Sequence, residues 1–223
     1  MSSSRLEGTS WNILITKKPL RLSKRGVIAG VGFALLVGHF APWASHHTAA
    51  LTLSAHDLAV FTNYTPGAGI FWNEWFLLPL WVSALLLAHG VGGGWGALVG
   101  LLVAALGLPS YPAILTAFRD AEHQLRFFAS VLAAALSIVF AWLPKRTQTT
   151  YFALILLNGI AGVPLVGFLA VRPAIQALYG SVVAVGWGWW LTLLALLAAW
   201  GYAGATIWRS KRAKASAMAS WQP

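Results

Sequence analysis

The sequence predicts an all-α protein, a polytopic transmembrane helical bundle of about six spans with both termini in the cytoplasm and two short amphipathic helices on the outer face. Of its 223 residues, 58% are hydrophobic and only 9% are charged. A soluble domain usually carries about 25% charged residues, so these few charges cannot cover a water-exposed surface of this size. The composition argues against a water-soluble enzyme, a disordered chain and a disulfide-knit secreted module.

Six apolar stretches are long enough to cross a bilayer, which takes about 20 residues of α-helix. The predicted spans are 26–44, 70–89, 91–110, 126–143, 151–171 and 183–207. They form one membrane domain, 26–208, between a basic N-terminal segment, 1–25, and a basic tail, 209–223. The first span follows a basic stretch, as the apolar region of a signal peptide does, but no convincing small-residue cleavage site comes after it. We therefore expect this span to be retained.

The positions of lysine and arginine predict the orientation of the spans, because cytoplasmic loops carry an excess of these residues. With both termini inside, twelve bases fall on the inner side, and the outer side holds only Arg119, Arg126 and Arg172. The net charge of +10 then lies at the ends of apolar spans rather than in a patch that would suit nucleic acid. We expect a plasma (inner) membrane protein whose partners are the lipid bilayer, with anionic lipid at its inner face, and no nucleic acid.

Small residues recur every fourth position in the third span, at Gly92, Gly96, Gly100 and Ala104. Such a face lets two helix backbones approach closely. One interpretation is an interface with other membrane subunits or with a second copy of the chain. The other is packing inside a single six-helix bundle.

Two spans contain prolines that predict interruptions, Pro79 at the centre of the second span and Pro164 near the middle of the fifth. Broken helices at matching positions of two halves are a pointer to a transporter's midplane site, although simple proline kinks are also common. Most tryptophans fall at span ends, as in an aromatic belt, whereas Trp81 lies deeper. The candidates for a ligand or ion pathway are Glu74, Trp81, Asn158, Pro79 and Pro164.

The predicted outer face carries the remaining polar residues. The segment Ser54-Ala55-His56-Asp57 fits a capping box and predicts a short helix within the loop 45–69. Pro112 predicts the start of a second short helix. Glu74 lies about one turn inside a span, where an ionisable group needs a partner or a function. The candidates for outer ion pairs are Arg119, Glu122, Arg126 and Arg172.

The absence of cysteine excludes disulfides, thiolate zinc sites and iron–sulfur clusters. Histidines and carboxylates could still bind a metal, and the weak candidates are His46, His47, His56, Asp57, Asp120 and His123. A haem held by His39 and His89 is excluded because they fall at opposite ends of their spans. The sequence indicates no cofactor and no catalytic group of residues.

Three functions are compatible with these features. The first is a non-catalytic accessory or assembly subunit of a larger membrane complex, suggested by the glycine face and the short loops. The alternative is a small-solute or ion transporter with a site between the second and fifth spans. The third is a membrane redox or metal-binding subunit that uses the outer histidines and carboxylates.

Overall fold

The computed structural model describes residues 23–46, 52–62, 73–143, 147–180 and 182–219, and this part of the chain is mostly helical. The helices are α1 (Lys24–Phe40), α2 (Ala55–Phe61), α3 (Leu78–Val91), α4 (Gly93–Ala105), α5 (Ala113–Thr116), α6 (Ala121–Trp142), α7 (Thr147–Tyr179) and α8 (Trp187–Ala219). A 3-10 helix, Asn73–Leu77, leads directly into α3. Three short strands complete the described structure: β1 (Pro42–Ser45), β2 (Thr52–Ser54) and β3 (Ala184–Val185).

Four stretches of helix are long and apolar enough to cross a membrane, Asn73–Val91, His123–Trp142, Ala153–Tyr179 and Trp187–Arg212. They correspond to the second, fourth, fifth and sixth predicted spans. The first predicted span, 26–44, is too long, because the chain leaves α1 after Phe40 and enters β1. The third, 91–110, corresponds to α4, whose 13 residues fall short of the roughly 20 that a full crossing takes.

The third helix is the centre of the bundle. It packs on α1, α4, α6 and α7, while α8 covers α1 and α7. Within its span, 72% of the residues are buried, against 22% for α6 and 28% for α8. The outward faces of α6 and α8 carry large apolar side chains, which suits helices that face lipid rather than water.

A small antiparallel sheet, ordered β2-β1-β3, closes one end of the bundle. The all-α prediction missed it, because its strands are short and β3 pairs with a segment about 140 positions earlier. Trp43 in β1 is completely buried rather than part of an aromatic belt. Its Nε1–H donates to the Gly38 carbonyl at 2.8 Å, and its ring packs edge-on against Phe76 and Phe168. The sheet therefore holds the end of α1 against the rest of the bundle.

Neither proline interrupts a helix in the predicted way. Pro79 lies in the first turn of α3, not at the centre of a span, and there its missing N–H breaks no helical hydrogen bond. Pro164 lies inside α7, but α7 runs from Thr147 to Tyr179 as one helix. The expected pair of broken helices is therefore not present.

The capping box is confirmed at the start of α2. Ser54 Oγ accepts a hydrogen bond from the Asp57 N–H at 3.2 Å, and Asp57 Oδ2 accepts one from the Ser54 N–H at 2.8 Å. The second predicted outer helix is reduced to the four residues of α5, and α6 begins at Ala121. At the C-terminus, α8 continues through most of the predicted tail, to Ala219.

Candidate functional site

Four ionisable side chains from four elements gather where α1 ends and α3 and α6 begin. We call this group the histidine cluster: His39, His56, Glu74 and Arg126. The ring centroids of His39 and His56 are 5.7 Å apart, with the ring planes nearly perpendicular. Arg126 Nη2 lies 3.4 Å from His56 Nε2, and the Glu74 carboxylate attracts the Arg126 guanidinium.

Local structure brings these side chains together. His39 lies in the last turn of α1, and the extended residue Ala41 ends that helix just before Pro42. The capping box fixes the start of α2, so that His56 stands on its first turn, facing His39. Glu74 belongs to the 3-10 helix, and Arg126 lies in the second turn of α6.

The hydrogen bonds of Arg126 determine the tautomer of His56. Arg126 Nε donates to the Gly107 carbonyl at 2.8 Å, which ties α6 to the end of α4. Because a guanidinium only donates, His56 Nε2 must accept the bond from Nη2 and carry no proton. The single proton of a neutral His56 ring then resides on Nδ1. That Nδ1–H is buried and has no partner among the described residues.

His39 is completely buried, and neither of its ring nitrogens makes a hydrogen bond within the described part of the chain. The Phe76 backbone faces the ring, but no bond of good geometry forms with it. The ring packs edge-on against Phe40 at 4.8 Å between centroids. His39 thus presents one N–H donor and one bare nitrogen acceptor inside the protein, and neither is paired with a described residue.

The surroundings of His56 favour its neutral form. Partial burial lowers the pKa of His56, and the positive charge of Arg126 lowers it further, while Asp57 acts in the opposite direction. Glu74 is itself buried, with 9% of its surface exposed. The cluster therefore holds one positive charge, one negative charge and a neutral imidazole at His56.

The midspan candidates Trp81 and Asn158 make hydrogen bonds of their own. Trp81 Nε1–H donates to Ser130 Oγ at 3.2 Å, which ties α3 to α6. Asn158 is completely buried in α7, and its Nδ2 donates to the Leu154 carbonyl of the same helix. Its Oδ1 has no partner among the described residues. Asn158 thus has one paired and one unpaired polar atom among the described residues.

The glycine face of α4 is filled within the chain. A Cβ at Gly96 would overlap the Ala88 carbonyl oxygen of α3. A Cβ at Gly100 would stand 2.6 Å from Ser137 Cβ of α6 and 2.8 Å from Ala88 Cβ. Ala104 is also buried, whereas Gly92 is the junction between α3 and α4. Of the two interpretations of this face, packing within the bundle is the one that the contacts show.

The other residues predicted to form outer ion pairs make contacts of different kinds. Arg119 lies over the Phe118 ring at 5.0 Å, and Arg172 Nε donates to the Val183 carbonyl at 2.9 Å. Asp120 and His123 form an ion pair at 4.0 Å when the histidine is protonated. The side chain of Glu122 lies outside the described residues.

The metal candidates do not converge in the described structure. Among its residues, no three histidine, aspartate or glutamate side chains are placed to hold a metal ion. Asp57 is engaged in the capping box, and His46 has partners of its own. His47 lies outside the described residues.

Sequence reasoning found Glu74, Arg126 and His56 as separate candidates but did not select His39. The signal for His39 was its position as an ionisable residue inside an otherwise uncharged apolar stretch. Its nearness to His56 could not be predicted, because it depends on how the segment after α1 folds back over the helix end. Comparison with protein-family models, with curated proteins and with solved structures finds no match to this chain.

Proposed function

We propose that this chain is a plasma-membrane protein that binds a small polar solute at the histidine cluster and carries it across the bilayer. The observation that carries this proposal is the complete burial of His39, whose two ring nitrogens have no hydrogen-bond partner among the described residues. A buried polar group without a partner costs about 1–3 kcal/mol, and native proteins leave few such groups. A bound solute that supplies the missing hydrogen bonds would offset this cost.

The exposure of the cluster residues supports access from one side. His56 and Arg126 are partly exposed, whereas His39 behind them is completely buried. A solute that first meets Arg126 and His56 would therefore reach His39 by moving into the bundle. We propose six crossings, with α1 and α4 as the two short ones and both termini inside. The positive-inside rule then places the histidine cluster at the outer surface.

The accessory-subunit role, expected first from the sequence, was suggested by the glycine face and the short loops. Because Gly96 and Gly100 are covered by α3 and α6, that face offers no open surface to a partner. The metal-binding role is disfavoured at the cluster by the positive charge of Arg126, which repels a cation. Transport is therefore the function that these contacts support best.

Thermal unfolding of the purified protein with a panel of solutes tests the proposal. The panel covers monovalent anions, amino acids, neutral sugars and divalent metal ions. We expect one class to raise the unfolding temperature of the wild type, since a ligand at about 100 times its Kd adds about 2.7 kcal/mol of stability. The same class should be taken up by proteoliposomes.

Two variants make this experiment specific. His39→Leu should abolish both the stabilisation and the uptake. His123→Gln is the matched control, because His123 is a partly exposed histidine outside the cluster and should leave both unchanged. If no solute stabilises the wild type, or if His39→Leu leaves uptake intact, the proposed function is wrong.

A further inference from the structure

We infer that the solute is a small monovalent oxyanion, such as a carboxylate or nitrate, and that it enters the histidine cluster together with one proton. This inference rests on the proposed function and adds the chemical class of the solute and its coupling ion. It follows from the hydrogen-bonding needs of the cluster and from its balance of charge.

The unpaired groups of the cluster are mainly donors. His56 has its proton on Nδ1, because Nε2 accepts from Arg126, and that buried N–H has no partner among the described residues. His39 adds a second N–H without a partner there. A ligand that completes the cluster must therefore supply at least two acceptor atoms close together. The oxygens of a planar oxyanion meet this requirement.

The spacing of the two rings suits a ligand of this size. Their centroids are 5.7 Å apart, and each ring nitrogen lies roughly 1 Å from its centroid, so one group of two oxygens can reach both rings. The two ring planes are nearly perpendicular, so the N–H groups of the two rings lie in different planes. Two oxygens of one oxyanion can satisfy such a pair of donors better than a single atom can.

The charges in the cluster determine what must accompany the anion. The charged or titratable groups that act on His39 are His56 of α2 and Arg126 of α6. Those two are in turn influenced by Asp57 and Glu74. Arg126 is already balanced by Glu74, so a monovalent anion alone would leave a net negative charge in a buried place. One additional proton restores neutrality.

The bare ring nitrogen of His39 is the place for that proton. In the neutral ring this nitrogen is an acceptor without a partner in the described part of the chain, and protonation turns it into a third N–H donor beside the oxyanion. One anion and one proton enter together, the N–H bond at His39 forms on entry, and it breaks when both leave. His56 stays neutral throughout, since Arg126 occupies its Nε2.

A metal cation fits the same groups poorly. Metals bind the lone pair of a neutral imidazole, and the lone pair of His56 points toward Arg126. The guanidinium charge also opposes any cation at this position. Zinc therefore serves as the contrasting probe in the test.

Binding of sodium nitrate and sodium formate to the full-length protein in detergent tests the inference, with sodium chloride, zinc chloride and urea as comparison solutes. We expect nitrate or formate to raise the unfolding temperature and the comparison solutes to leave it unchanged. The apparent Kd should weaken about tenfold for each unit of rising pH, because one proton binds with each anion. His39→Leu should remove the binding.

A second variant separates proton binding from hydrogen bonding. Gln at position 39 keeps a donor and an acceptor but cannot hold a proton, so His39→Gln should retain weaker anion binding that no longer depends on pH. In proteoliposomes, an inward nitrate gradient should acidify a lumen that contains a pH-sensitive dye, and His39→Gln should abolish that acidification. The pH dependence of anion binding should be lost in His39→Gln only if His39 is the group that takes up the proton.

The possible results separate the two proposals. Anion binding that is independent of pH in the wild type overturns the inference. Stabilisation by zinc or urea that is lost in His39→Leu also overturns it, but leaves the solute-binding function standing. If no solute binds and no flux depends on His39, both proposals fail.

Discussion

Two polar regions inside this bundle are built in opposite ways. The first is the contact of α3, α4 and α6, which we call the glycine seam: Ala88, Gly96, Gly100 and Ser137. Its hydroxyl is satisfied locally, since Ser137 Oγ donates to the Ala133 carbonyl of the same helix at 2.8 Å. The second is the histidine cluster, where equally buried imidazole nitrogens have no partner in the described structure.

Comparison of the two regions shows which buried polar groups contribute to the stability of the fold. The hydroxyls of Ser83 and Thr192 are satisfied in the same way as that of Ser137. Each donates to a carbonyl of its own helix, at 2.7 Å for Ser83 and at 2.9 Å for Thr192. A buried hydroxyl that donates to a carbonyl of its own helix costs little stability and permits close packing of the helices. An imidazole held with both nitrogens unpaired costs stability and adds nothing to packing that leucine would not. The seam is therefore optimised for stability, and the cluster is not.

The largest loss of stability is expected when a bulky side chain is placed in the glycine seam. In Gly100→Leu, even the first added carbon would lie 2.6 Å from Ser137 Cβ, so the helices must separate. We expect a loss of at least about 3 kcal/mol, which is the upper part of the range for overpacked cores. Thermal unfolding followed by circular dichroism measures it.

Gly94→Leu is the matched control for this prediction. Gly94 lies on the same helix, but a Cβ there meets nothing within 4 Å among the described residues. Its unfolding temperature should stay close to that of the wild type. Equal losses in the two variants would show that α4 does not pack through Gly100.

The next largest loss of stability is expected when the positive charge of Arg126 is removed from the histidine cluster. Arg126→Met loses the bond to the Gly107 carbonyl and leaves Glu74 without its counter-charge. Because Arg126 is partly exposed, solvent screening limits the cost, and we expect a loss of about 1–3 kcal/mol. Arg126→Lys should recover only part of it, since an ammonium cannot reproduce the fork that holds Gly107 and His56. Full recovery in Arg126→Lys would contradict this account.

A smaller effect of opposite sign is expected at His39. Replacing it by leucine, a side chain of similar size, removes two buried nitrogens that have no partner among the described residues. We expect His39→Leu to stabilise the protein by about 1–2 kcal/mol while it abolishes solute binding. The same thermal unfolding experiment, without added solute, measures the gain.

His89 provides the comparison, because its Nδ1 is hydrogen-bonded to the Phe140 carbonyl at 3.1 Å at the other end of the bundle. His89→Leu should therefore destabilise the protein, so that one substitution has opposite signs at the two positions. A loss of stability in both variants would mean that His39 serves the fold after all.

The sequence predicted those parts of the structure that depend on local patterns. The apolar stretches predicted six spans, four of which are helices long and apolar enough to cross a membrane. Ser54 with Asp57 predicted the start of α2, because a capping box needs only four consecutive residues. Pro79 was misplaced because a proline in a first turn and one in a helix centre look alike until the start of the helix is known.

Contacts distant in sequence could not be predicted in the same way. The pairing of Ala44 with Val185 has no local signal in two- to four-residue strands. The meeting of His39 with His56 depends on that sheet and on the turn that follows α1. The glycine spacing predicted close packing correctly but could not name the partner helices, since any smooth face can accept Gly96 and Gly100.

The smallest effect is the pH dependence that His56 gives to stability. Burial and the positive charge of Arg126 hold its pKa in the folded protein below the ordinary histidine value of 6.5, which it takes in the unfolded chain. As pH falls below about 6.5, His56 therefore binds a proton in the unfolded chain but not in the folded protein, and the free energy of unfolding decreases. Above that pH both states are neutral at His56, and this contribution is constant.

Unfolding temperatures measured from about pH 8 to about pH 5 test this sign. His56→Gln should reduce the loss on the acidic side, because glutamine does not titrate. Added nitrate should reduce it further in the wild type, since an anion beside His39 favours the protonated form of that ring. The glycine seam contains no titratable group, so Gly100→Ala, although less stable, should keep the wild-type dependence on pH. If its pH dependence changes instead, the two regions are coupled, and the cluster is not the separate functional unit that the contrast between them indicates.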